Sequence, residues 1–270
     1  MEVGDLESFF RRADEEILSD GGLPGAQGGL LDALEAGRVR AAQRNGEDWL
    51  PVPWVKRAIL LGFRSTELQE MRHWGYPAVD KTAFPPRDLR LVDGVRLVPG
   101  GSAVRRGAYV SPGVVVMPPA YINVGAFVDE GTMVDSHALV GSCAQVGKGV
   151  HLSAGAQIGG VLEPAGARPV VVEDGAFVGA LAGLFEGVVV RRRAVVASGV
   201  VITASTVIYD LVEGRELRRE VPAGAVVVPG SRPASGDFAA ARGLQVAAPL
   251  IVKYRDHKTD AATALEGALR

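Results

Sequence analysis

The sequence predicts a mainly β protein with a parallel β-helix at its centre, an α-helical domain before it, and a short strand and helix segment after it. Three observations support this fold class. An aliphatic residue returns every six positions from residue 104 onward. The chain holds 35 glycines and 16 prolines in 270 residues, and only 6% of its residues are aromatic although 47% are hydrophobic. A period of six fits neither a helix nor an alternating strand, but it fits short strands joined by turns.

The part of the chain before the repeat has helical spacing. Apolar residues from Leu6 to Ile17 recur at helical intervals, and Gly21 and Gly22 end that segment. Residues 30–42 predict a second helix, and the stretch WVKRAILLGFR at 54–64 predicts a third. Residues 76–95 contain three prolines and predict a linker. We therefore expect a helical domain and linker at residues 1–95.

The repeat runs in two blocks, and we expect the β-helix at residues 96–211. The aliphatic position is filled at Val104, Val110, Val116, Ile122, Val128, Val134, Val140, Val146, Leu152, Ile158, Val172, Val178, Leu184, Val190, Val196, Ile202 and Ile208. Three short strands close one triangular coil of eighteen residues, so stacked coils pair their strands in parallel. Glycine and other small residues permit the tight corners. The interruption at 162–169 must leave the coil as a loop.

The last part of the sequence departs from the period of six. The charged residues 211–220 predict a loop. Two strands are predicted near 225–228 and 250–254, and a short helix is predicted from about Thr259. These elements define a C-terminal segment of loop, strands and short helix at residues 212–270.

Charge and cysteine content narrow the possible functions. The 29 basic and 31 acidic residues give a net charge of −2, which offers no reason to expect nucleic acid or an anionic membrane as a partner. The single cysteine, Cys143, excludes an internal disulfide and a multi-cysteine metal site. It fits a reducing compartment. The N-terminus lacks secretory features, and prolines within the uncharged stretch 107–128 oppose a membrane helix, so we expect a cytoplasmic protein without membrane contact.

Polar residues gather at 132–148, and the surrounding sequence resembles a known family. The stretch VDEGTMVDSHALVGSCAQVGKGVHLSAGAQIGGVLEP (128–164) is similar to the tetrahydrodipicolinate N-succinyltransferases of lysine and diaminopimelate biosynthesis. Further matches are VRRGAYVSPGVVVMP (104–118), WVKRAILLGFR (54–64) and STVIYDL (205–211). The resemblance implies a left-handed β-helix built from hexapeptide repeats. It also implies a homotrimer whose active sites lie between neighbouring subunits.

The resemblance implies an acyl transfer as well. In this family a succinyl group passes from succinyl-CoA, which is a co-substrate, to the amino group of the ring-opened dicarboxylate 2-amino-6-oxopimelate. No tightly bound cofactor and no metal are expected. The amine must lose its proton to a nearby base, the tetrahedral oxyanion needs N–H donors that glycine-rich corners can supply, and substrate carboxylates favour arginine.

Candidate substrate residues follow from these matches. Asp135 matches the family's functional aspartate and is expected to bind or deprotonate the amine, although an aspartate at this place is also a common turn cap. Arg96 matches the family's substrate-binding arginine, although a solvated surface arginine has the same sequence pattern. His137 is expected to contact the substrate.

Candidate residues for the acyl donor lie later in the chain. Arg191 and Arg192 form a basic corner that can pair with the phosphates of CoA, although a solvated corner is an equal alternative. Gly199 and Ala204 are small enough to leave a groove for the pantetheine arm. Lys253 is a further CoA-binding candidate.

The sequence departs from the family at a second functional carboxylate. Family members carry a glutamate in the motif Gly-Ala-Arg-Ser-Glu, whereas residues 179–183 read Gly-Ala-Leu-Ala-Gly, so Gly183 takes its place. Glu186, in the retained Glu-Gly pair, is therefore the expected second catalytic acid. The alternative is that succinyl transfer is lost or altered.

Three other interpretations remain open. An N-acetyltransferase acting on the same substrate shares the repeats and the EP…PVV pattern at 163–171. A trimeric carbonic anhydrase needs three histidines around zinc, but His137 and His151 are fourteen residues apart instead of one coil. The third interpretation is a structural relative that has lost activity, because Gly183 takes the place of the family's second functional glutamate. Cys143, which has no evident histidine partner, is expected to be a structural thiol.

Overall fold

The computed structural model describes residues 1–73 and 75–256 of the chain. Its first part combines helices with two antiparallel hairpins. These elements are α1 (Val3–Phe10), α2 (Asp14–Leu18), α3 (Leu23–Glu35), β1 (Ala42–Asn45), β2 (Asp48–Pro51), α4 (Pro53–Ser65), β3 (Leu68–His73) and β4 (Tyr76–Lys81).

The helical domain confirms one predicted helix and corrects two others. Helix α4 covers the predicted residues 54–64. The helix predicted from Leu6 to Ile17 is divided into α1 and α2, because the backbone is extended at Ala13. The helix predicted at 30–42 spans 23–35 instead, since Gly37 adopts a positive φ of 68° and turns the chain into β1. The predicted linker at 76–95 opens with strand β4.

Two-residue strands then repeat, with one interruption between β15 and β16. They are β5 (Arg96–Leu97), β6 (Ala103–Val104), β7 (Tyr109–Val110), β8 (Val115–Val116), β9 (Tyr121–Ile122), β10 (Phe127–Val128), β11 (Met133–Val134), β12 (Leu139–Val140), β13 (Gln145–Val146), β14 (His151–Leu152), β15 (Gln157–Ile158), β16 (Val171–Val172), β17 (Phe177–Val178), β18 (Gly183–Leu184), β19 (Val189–Val190), β20 (Val195–Val196) and β21 (Val201–Ile202).

These strands form three parallel sheets, which are the faces of a triangular prism. Face A contains β5, β8, β11, β14, β17 and β20, face B contains β6, β9, β12, β15, β18 and β21, and face C contains β7, β10, β13, β16 and β19. The chain visits faces A, B and C in turn, so we name the corners AB, BC and CA. The sequence prediction of a parallel β-helix with hexapeptide repeats is confirmed.

The register shows how the repeat builds the interior. Val128 pairs with Val110 on one side and with Val146 on the other, each eighteen residues away. After the insertion at 162–169, Val146 pairs with Val172 and the eighteen-residue spacing returns. The seventeen predicted aliphatic residues point inward, and none is more than 4% exposed. Stacked aliphatic side chains therefore fill the prism with few aromatic residues.

The N-terminal helices pack on corner BC and face C. Val124 and Cys143, at corner BC, belong to the same apolar cluster as Ile59 of α4. On face C, the Arg40 guanidinium lies 3.6 Å from the centre of the Phe127 ring. The Trp49 indole N–H, on β2, donates to the Glu173 carboxylate at 2.9 Å.

The C-terminal part contains more strands than the sequence predicts. They are β22 (Val207–Asp210), β23 (Arg215–Arg218), β24 (Glu220–Val221), β25 (Ala225–Pro233) and β26 (Gln245–Tyr254), with α5 (Asp237–Ala241) between the last two. Strands β23 and β24 replace the loop expected at 211–220, because β23 pairs with β22 as an exposed hairpin whose outer residues are charged. The two strands predicted near 225–228 and 250–254 are confirmed, and both are longer than predicted.

The helix predicted from about Thr259 lies outside the described residues. Within residues 1–73 and 75–256, none of the helices has the length and apolar content that a membrane crossing requires. The boundaries near residues 95 and 211 remain predictions.

Candidate functional site

Corner AB brings several of the predicted residues to one side of the prism. Asp135 and His137 follow β11 at this corner, and Gly199 follows β20 at the same corner. The two places are three coils apart, or about 14 Å at the spacing of paired strands. Arg96 begins β5 on the adjoining face A, where it is exposed. Lys253 lies on β26 opposite Val226, so it borders the same face.

Small residues line corner AB between Asp135 and Gly199. The corner turns contain Ser153, Ala154, Gly155, Gly179, Ala180, Ala197 and Ser198. Leu181 is the large side chain among them. It is 74% exposed, and its Cδ2 atom lies 2.8 Å from the place that a Cβ of Gly155 would take. Its side chain therefore lies along the corner, over Gly155 of the preceding coil.

A column of left-handed residues forms this corner. His137, Gly155, Leu181 and Gly199 have φ values of 61°, 69°, 58° and 74°. Each donates its backbone N–H to a carbonyl of the preceding coil, as Gly199 does to Ala180 at 2.9 Å. A left-handed conformation costs a residue with a Cβ about 1–2 kcal/mol, so His137 and Leu181 are strained positions.

The corner also holds N–H groups that the coils do not use. In the described part of the chain, the N–H groups of Ala154, Ala180 and Ser198 have no hydrogen-bond acceptor. The equivalent N–H of Ser136 donates to Oδ1 of Asp135 at 2.7 Å. Asp135 therefore does cap its turn, while its Oδ2 has no partner among the described residues. The sequence predicts N–H donors at the corners, and the structure indicates which of them remain available.

Glu186 and Ala204 lie at a different corner. Both are at corner BC, where the Ala204 N–H donates to Oε2 of Glu186 at 3.0 Å. They line a cleft of about 620 Å³ with Trp49, Arg168 and Arg219. Asp135 and Glu186 are therefore not brought together within one chain.

Arg191 is engaged inside the protein. It lies at corner CA, is 9% exposed, and forms ion pairs with Glu173 at 3.1 Å and with Glu220 at 2.7 Å. It also donates to the carbonyl of Glu47. The hydrogen bond to the Glu220 carboxylate is the main reason that its pKa is raised. These contacts hold the β1–β2 hairpin on the β-helix, and they engage the Arg191 guanidinium in the protein alone.

Two other CoA candidates keep their charges near the surface. Arg192 lines a small cavity at corner CA with Arg40 and Arg44. The Lys253 Nζ lies 3.2 Å from the Asp256 carboxylate, so its charge is paired in the protein alone.

The structure gives a physical reason for glycine at position 183. The Phe185 ring lies across face B, and a Cβ at Gly183 would be 2.6 Å from Cε2 of this ring. A Cβ at Gly159 would be equally close to the ring at Cδ1. A glutamate at position 183 is incompatible with this ring position.

Three residues that the sequence analysis does not select help to form the BC cleft. The insertion at 162–169 carries Arg168, and strand β24 is preceded by Arg219. Lys56 of α4 is fully buried and donates to the carbonyls of Pro164 and Ala167 at 2.9 and 2.7 Å. The break in the hexapeptide pattern points to Arg168 and the charged segment 211–220 points to Arg219, whereas Lys56 lies in the matched stretch at 54–64.

Cys143 lies in the apolar cluster that joins α4 to corner BC. The Cys143 side chain is fully buried at corner BC, and burial raises the pKa of its thiol to about 12. Within the described residues, no group of three His, Cys, Asp or Glu side chains is placed to hold a metal ion. The expected structural role of Cys143 fits this position.

Comparisons with known proteins agree with this architecture. A family model described as the N-terminal domain of tetrahydrodipicolinate N-succinyltransferase matches residues 26–65, and one described as a hexapeptide repeat of succinyl-transferase matches residues 169–204. A Campylobacter jejuni crystal structure, described as a 2,3,4,5-tetrahydropyridine-2-carboxylate N-succinyltransferase, is 17% identical and covers 83% of this chain and 62% of its own. Its TM-score of 0.52 supports the fold alone.

Curated relatives are closer in sequence. The 2,3,4,5-tetrahydropyridine-2,6-dicarboxylate N-succinyltransferase of Bordetella avium is 43% identical over 243 residues, covering 89% of this chain and 87% of the relative. The enzymes of the same name from Idiomarina loihiensis and Paracoccus denitrificans are 42% and 43% identical, with the same coverage. The fold and these matches define a hexapeptide-repeat acyltransferase. The chain belongs to the 2,3,4,5-tetrahydropyridine-2,6-dicarboxylate N-succinyltransferase family.

Proposed function

We propose that the protein transfers a succinyl group from succinyl-CoA to the amino group of tetrahydrodipicolinate in its ring-opened form, 2-amino-6-oxopimelate. This step belongs to lysine and diaminopimelate biosynthesis. The relatives of the same family carry this activity in their names. The observation in this chain that carries the proposal is corner AB, where Asp135 and the small residues up to Gly199 lie along one edge of the prism.

Asp135 is the residue that we propose for the acceptor amine. Its Oδ2 is available to accept a proton from the ammonium group, which must become neutral before it attacks. The amine nitrogen then forms a bond to the thioester carbonyl carbon, and the carbonyl oxygen becomes an oxyanion. The carbonyl re-forms as the bond from carbon to sulfur breaks, and the proton that the nitrogen must still lose passes to the departing thiolate, which gives the amide and CoA.

The oxyanion needs donors that point at it before the reaction begins. The N–H groups of Ala154, Ala180 and Ser198 are candidates, because they lie along the same corner and have no acceptor in the described chain. Arg96 is a candidate for a substrate carboxylate, and His137 lines the acceptor end. Among the candidates for CoA, Gly199 lies at corner AB three coils from Asp135, and Lys253 borders face A. Arg192 lies at corner CA and Ala204 at corner BC.

A site that uses both predicted carboxylates requires a second copy of the chain. Asp135 lies at corner AB and Glu186 at corner BC, so only corners of different subunits can bring them together. We therefore propose a homotrimer with shared active sites, because closed rotational symmetry repeats the same AB-to-BC contact around one axis. We place the enzyme in the cytoplasm, where its single thiol stays reduced.

The experiment that tests the activity is CoA thiol release with the cyclic substrate and succinyl-CoA. We expect Asp135→Asn to lower kcat by about two to four orders of magnitude, which is the usual contribution of a positioned base. Asp129→Asn is the matched control, since Asp129 caps its own turn through the N–H of Glu130 at 2.8 Å but lies at corner CA. Equal rates for Asp135→Asn and wild type would remove Asp135 from the mechanism.

The same assay separates the donors. Replacing succinyl-CoA by acetyl-CoA tests the N-acetyltransferase alternative, and a higher kcat/KM with acetyl-CoA would overturn the assignment of the succinyl donor. If neither succinyl-CoA nor acetyl-CoA releases CoA, the result would favour a protein that has lost activity.

Mixing inactive variants tests the shared site. Asp135→Asn and Glu186→Gln are each expected to be inactive, but subunits exchanged in equal amounts should recover about a quarter of the wild-type activity, since one site in four then combines two intact residues. No recovery after exchange would show that the two residues do not act together across an interface. Gel filtration at the mass of a single chain would exclude the trimer.

A further inference from the structure

The BC cleft contains two arginines, beside the carboxylates of Glu163 and Glu186, to which the proposed reaction gives no role. Arg168 is half-buried and Arg219 is exposed, and both line the cleft. Within residues 1–73 and 75–256, neither guanidinium has a salt bridge to a carboxylate. Other half-buried arginines of this chain, such as Arg105 and Arg106, do have one.

The β-helix places the two arginines on either side of one residue. Arg168 lies one coil before Gly187, and its Nε donates to the Gly187 carbonyl at 2.9 Å. Arg219 lies one coil after it, because the Val189 N–H donates to the Arg219 carbonyl at 2.9 Å. The backbones of the two arginines are therefore about 10 Å apart, which lets both side chains reach one bound group.

The Arg168 guanidinium is held before any ligand arrives. Its bond to Gly187 fixes the Nε edge, and Lys56 anchors the loop that carries it through the carbonyls of Pro164 and Ala167. Burial lowers the pKa of Arg168, the Glu220 and Asp48 carboxylates oppose this shift, and the nearby positive charges of Arg191 and Arg219 add to it. An anion between Arg168 and Arg219 would relieve this repulsion.

The remaining walls of the cleft indicate what the anion is attached to. Trp49 and Pro51 of the β1–β2 hairpin form an apolar side, and the cleft volume of about 620 Å³ is in the range of sites for medium-sized ligands. Glu186 faces this cleft with its Oε2 already bound to the Ala204 N–H. A flat apolar group bearing phosphate matches a cleft with one apolar wall and two guanidinium groups.

We propose that the BC cleft is an oxyanion subsite, in which Arg168 and Arg219 bind the phosphate of the adenosine end of acyl-CoA. The identity of the ligand as acyl-CoA rests on the proposed function. The preference of the cleft for a phosphate group does not. The subsite assigns phosphate binding to two arginines instead of the buried Arg191.

Calorimetry with adenosine 3′,5′-bisphosphate tests the subsite without acyl transfer. We expect the wild type to bind it, and we expect Arg168→Gln and Arg219→Gln each to weaken the affinity about tenfold, which corresponds to one charge-assisted hydrogen bond. Arg232→Gln is the matched control, because Arg232 lies on β25 outside the cleft and bonds only to a neighbouring carbonyl in the described chain. Arg219 is exposed, so its variant keeps the test valid if Arg168→Gln disturbs the loop.

CoA and dephospho-CoA provide a second comparison. The wild type should bind CoA more tightly than dephospho-CoA, and both cleft variants should lose this preference. Affinities of the two variants equal to wild type, or no bisphosphate binding by wild type, would overturn the subsite. If the variants lose affinity for pimelate but keep it for the bisphosphate, the cleft binds a dicarboxylate and the proposed phosphate subsite is wrong.

These results also separate the two proposals. If the protein releases no CoA thiol but its binding of the bisphosphate depends on Arg168 and Arg219, the proposed function is refuted and the subsite stands. Normal thiol release with both cleft variants indistinguishable from wild type in affinity would refute only the subsite.

Discussion

Burial decides the chemistry of several single residues in this protein. Cys143 and Lys56 are both fully buried near the junction of α4 and corner BC, where burial raises the pKa of the thiol and two carbonyl oxygens bind the ammonium. Asp135 is different, since one of its carboxylate oxygens caps a turn and the other is available to a ligand. The same residue thus has the structural role and can have the functional one.

The thiol of Cys143 should be inert in the folded protein. Burial raises its pKa to about 12, so the reactive thiolate is almost absent near neutral pH, and a reagent has no path to the sulfur. We expect no labelling by a disulfide reagent at about pH 8, where a free thiol reacts readily. One thiol per chain should react after unfolding in guanidinium. Fast labelling of the native protein would contradict the buried position.

The position of Phe185 predicts how residue 183 responds to substitution. Gly183→Glu alone should lower stability by about 1–3 kcal/mol, since the added side chain must displace the Phe185 ring. Gly183→Glu combined with Phe185→Val should recover most of that loss. Thermal unfolding of the single and double variants measures the loss of stability. An equal loss in both variants would show that the Phe185 ring is not the obstacle.

At the level of elements, a few long-range bonds attach the added segments to the prism. Lys56 holds the insertion loop, and Glu173 joins the β1–β2 hairpin to corner CA through Trp49 and Arg191. Neither attachment repeats along the chain, so neither leaves a periodic pattern in the sequence. Both shape the clefts that the proposals use.

Removing the Lys56 ammonium should release the insertion loop. We expect Lys56→Met to increase hydrogen exchange of residues 162–169 about thirtyfold, because bonds from a charged donor to Pro164 and Ala167 contribute about 2 kcal/mol. The control is Arg57→Met, since Arg57 bonds to Asp14 and to the carbonyls of Phe10 and Arg12 instead of to the loop. Unchanged exchange in the Lys56 variant would show that the loop is held by other contacts.

Glu173 gives the hairpin attachment a pH dependence. Burial alone would raise the pKa of its carboxyl, but hydrogen bonds from the Trp49 indole, the Arg192 N–H and the Arg191 guanidinium outweigh it, and the pKa is lowered from its ordinary value of 4.5. A group with a lowered folded pKa stabilises the protein above its unfolded pKa and loses that contribution as pH falls through the folded value.

Glu173→Gln should therefore lower the Tm near neutral pH, and the difference from wild type should shrink once the pH falls below about 4.5. Glu130→Gln is the control, since the side chain of Glu130 forms an exposed ion pair with Lys148, and such pairs contribute less than about 1 kcal/mol. A Tm difference that stays constant as the pH is lowered would show that the Glu173 charge does not stabilise the attachment.

The whole molecule is stabilised by stacked coils, so its stability should depend on position in the repeat rather than on residue type. Leu152 is fully buried inside the prism, whereas Leu181 is 74% exposed at corner AB. We expect Leu152→Ala to lower the free energy of unfolding by about 2–5 kcal/mol and Leu181→Ala to change it by less than about 0.5 kcal/mol. Denaturant unfolding measures both. A large loss at Leu181 in the isolated subunit would contradict this assignment.

The fold was predictable because the repeat is local and uniform. Seventeen aliphatic positions, corner glycines and a low aromatic content all favour the same three-sided coil, so the prediction does not depend on any single residue. The hairpin of β1 and β2 was less accessible, although Asn45–Gly46 is a pair typical of tight turns, because polar residues such as Gln43 and Arg44 show no alternation. The boundary of α3 depends on Gly37, whose positive φ the sequence does not reveal.

The candidate site was only partly accessible from the sequence. Asp135, Arg96 and His137 follow from matched motifs, but a motif does not state which corner its residues occupy. The placement of Glu186 on another corner depends on counting coils through the insertion. Arg191 was selected for its charge, and only the tertiary structure shows that Glu173 and Glu220 neutralise it.

By itself the sequence determined the prism, because a side-chain period of six is a property of neighbouring residues and any coil of the chain expresses it. The tertiary structure alone decided which polar residues face one another, since a corner shared by Asp135 and Gly199, or a cleft shared by Arg168 and Arg219, joins residues from separate coils. Residues far apart in the sequence can be close together in a stack of coils. The role of a charged residue therefore depends on its neighbours in space, which the sequence does not give.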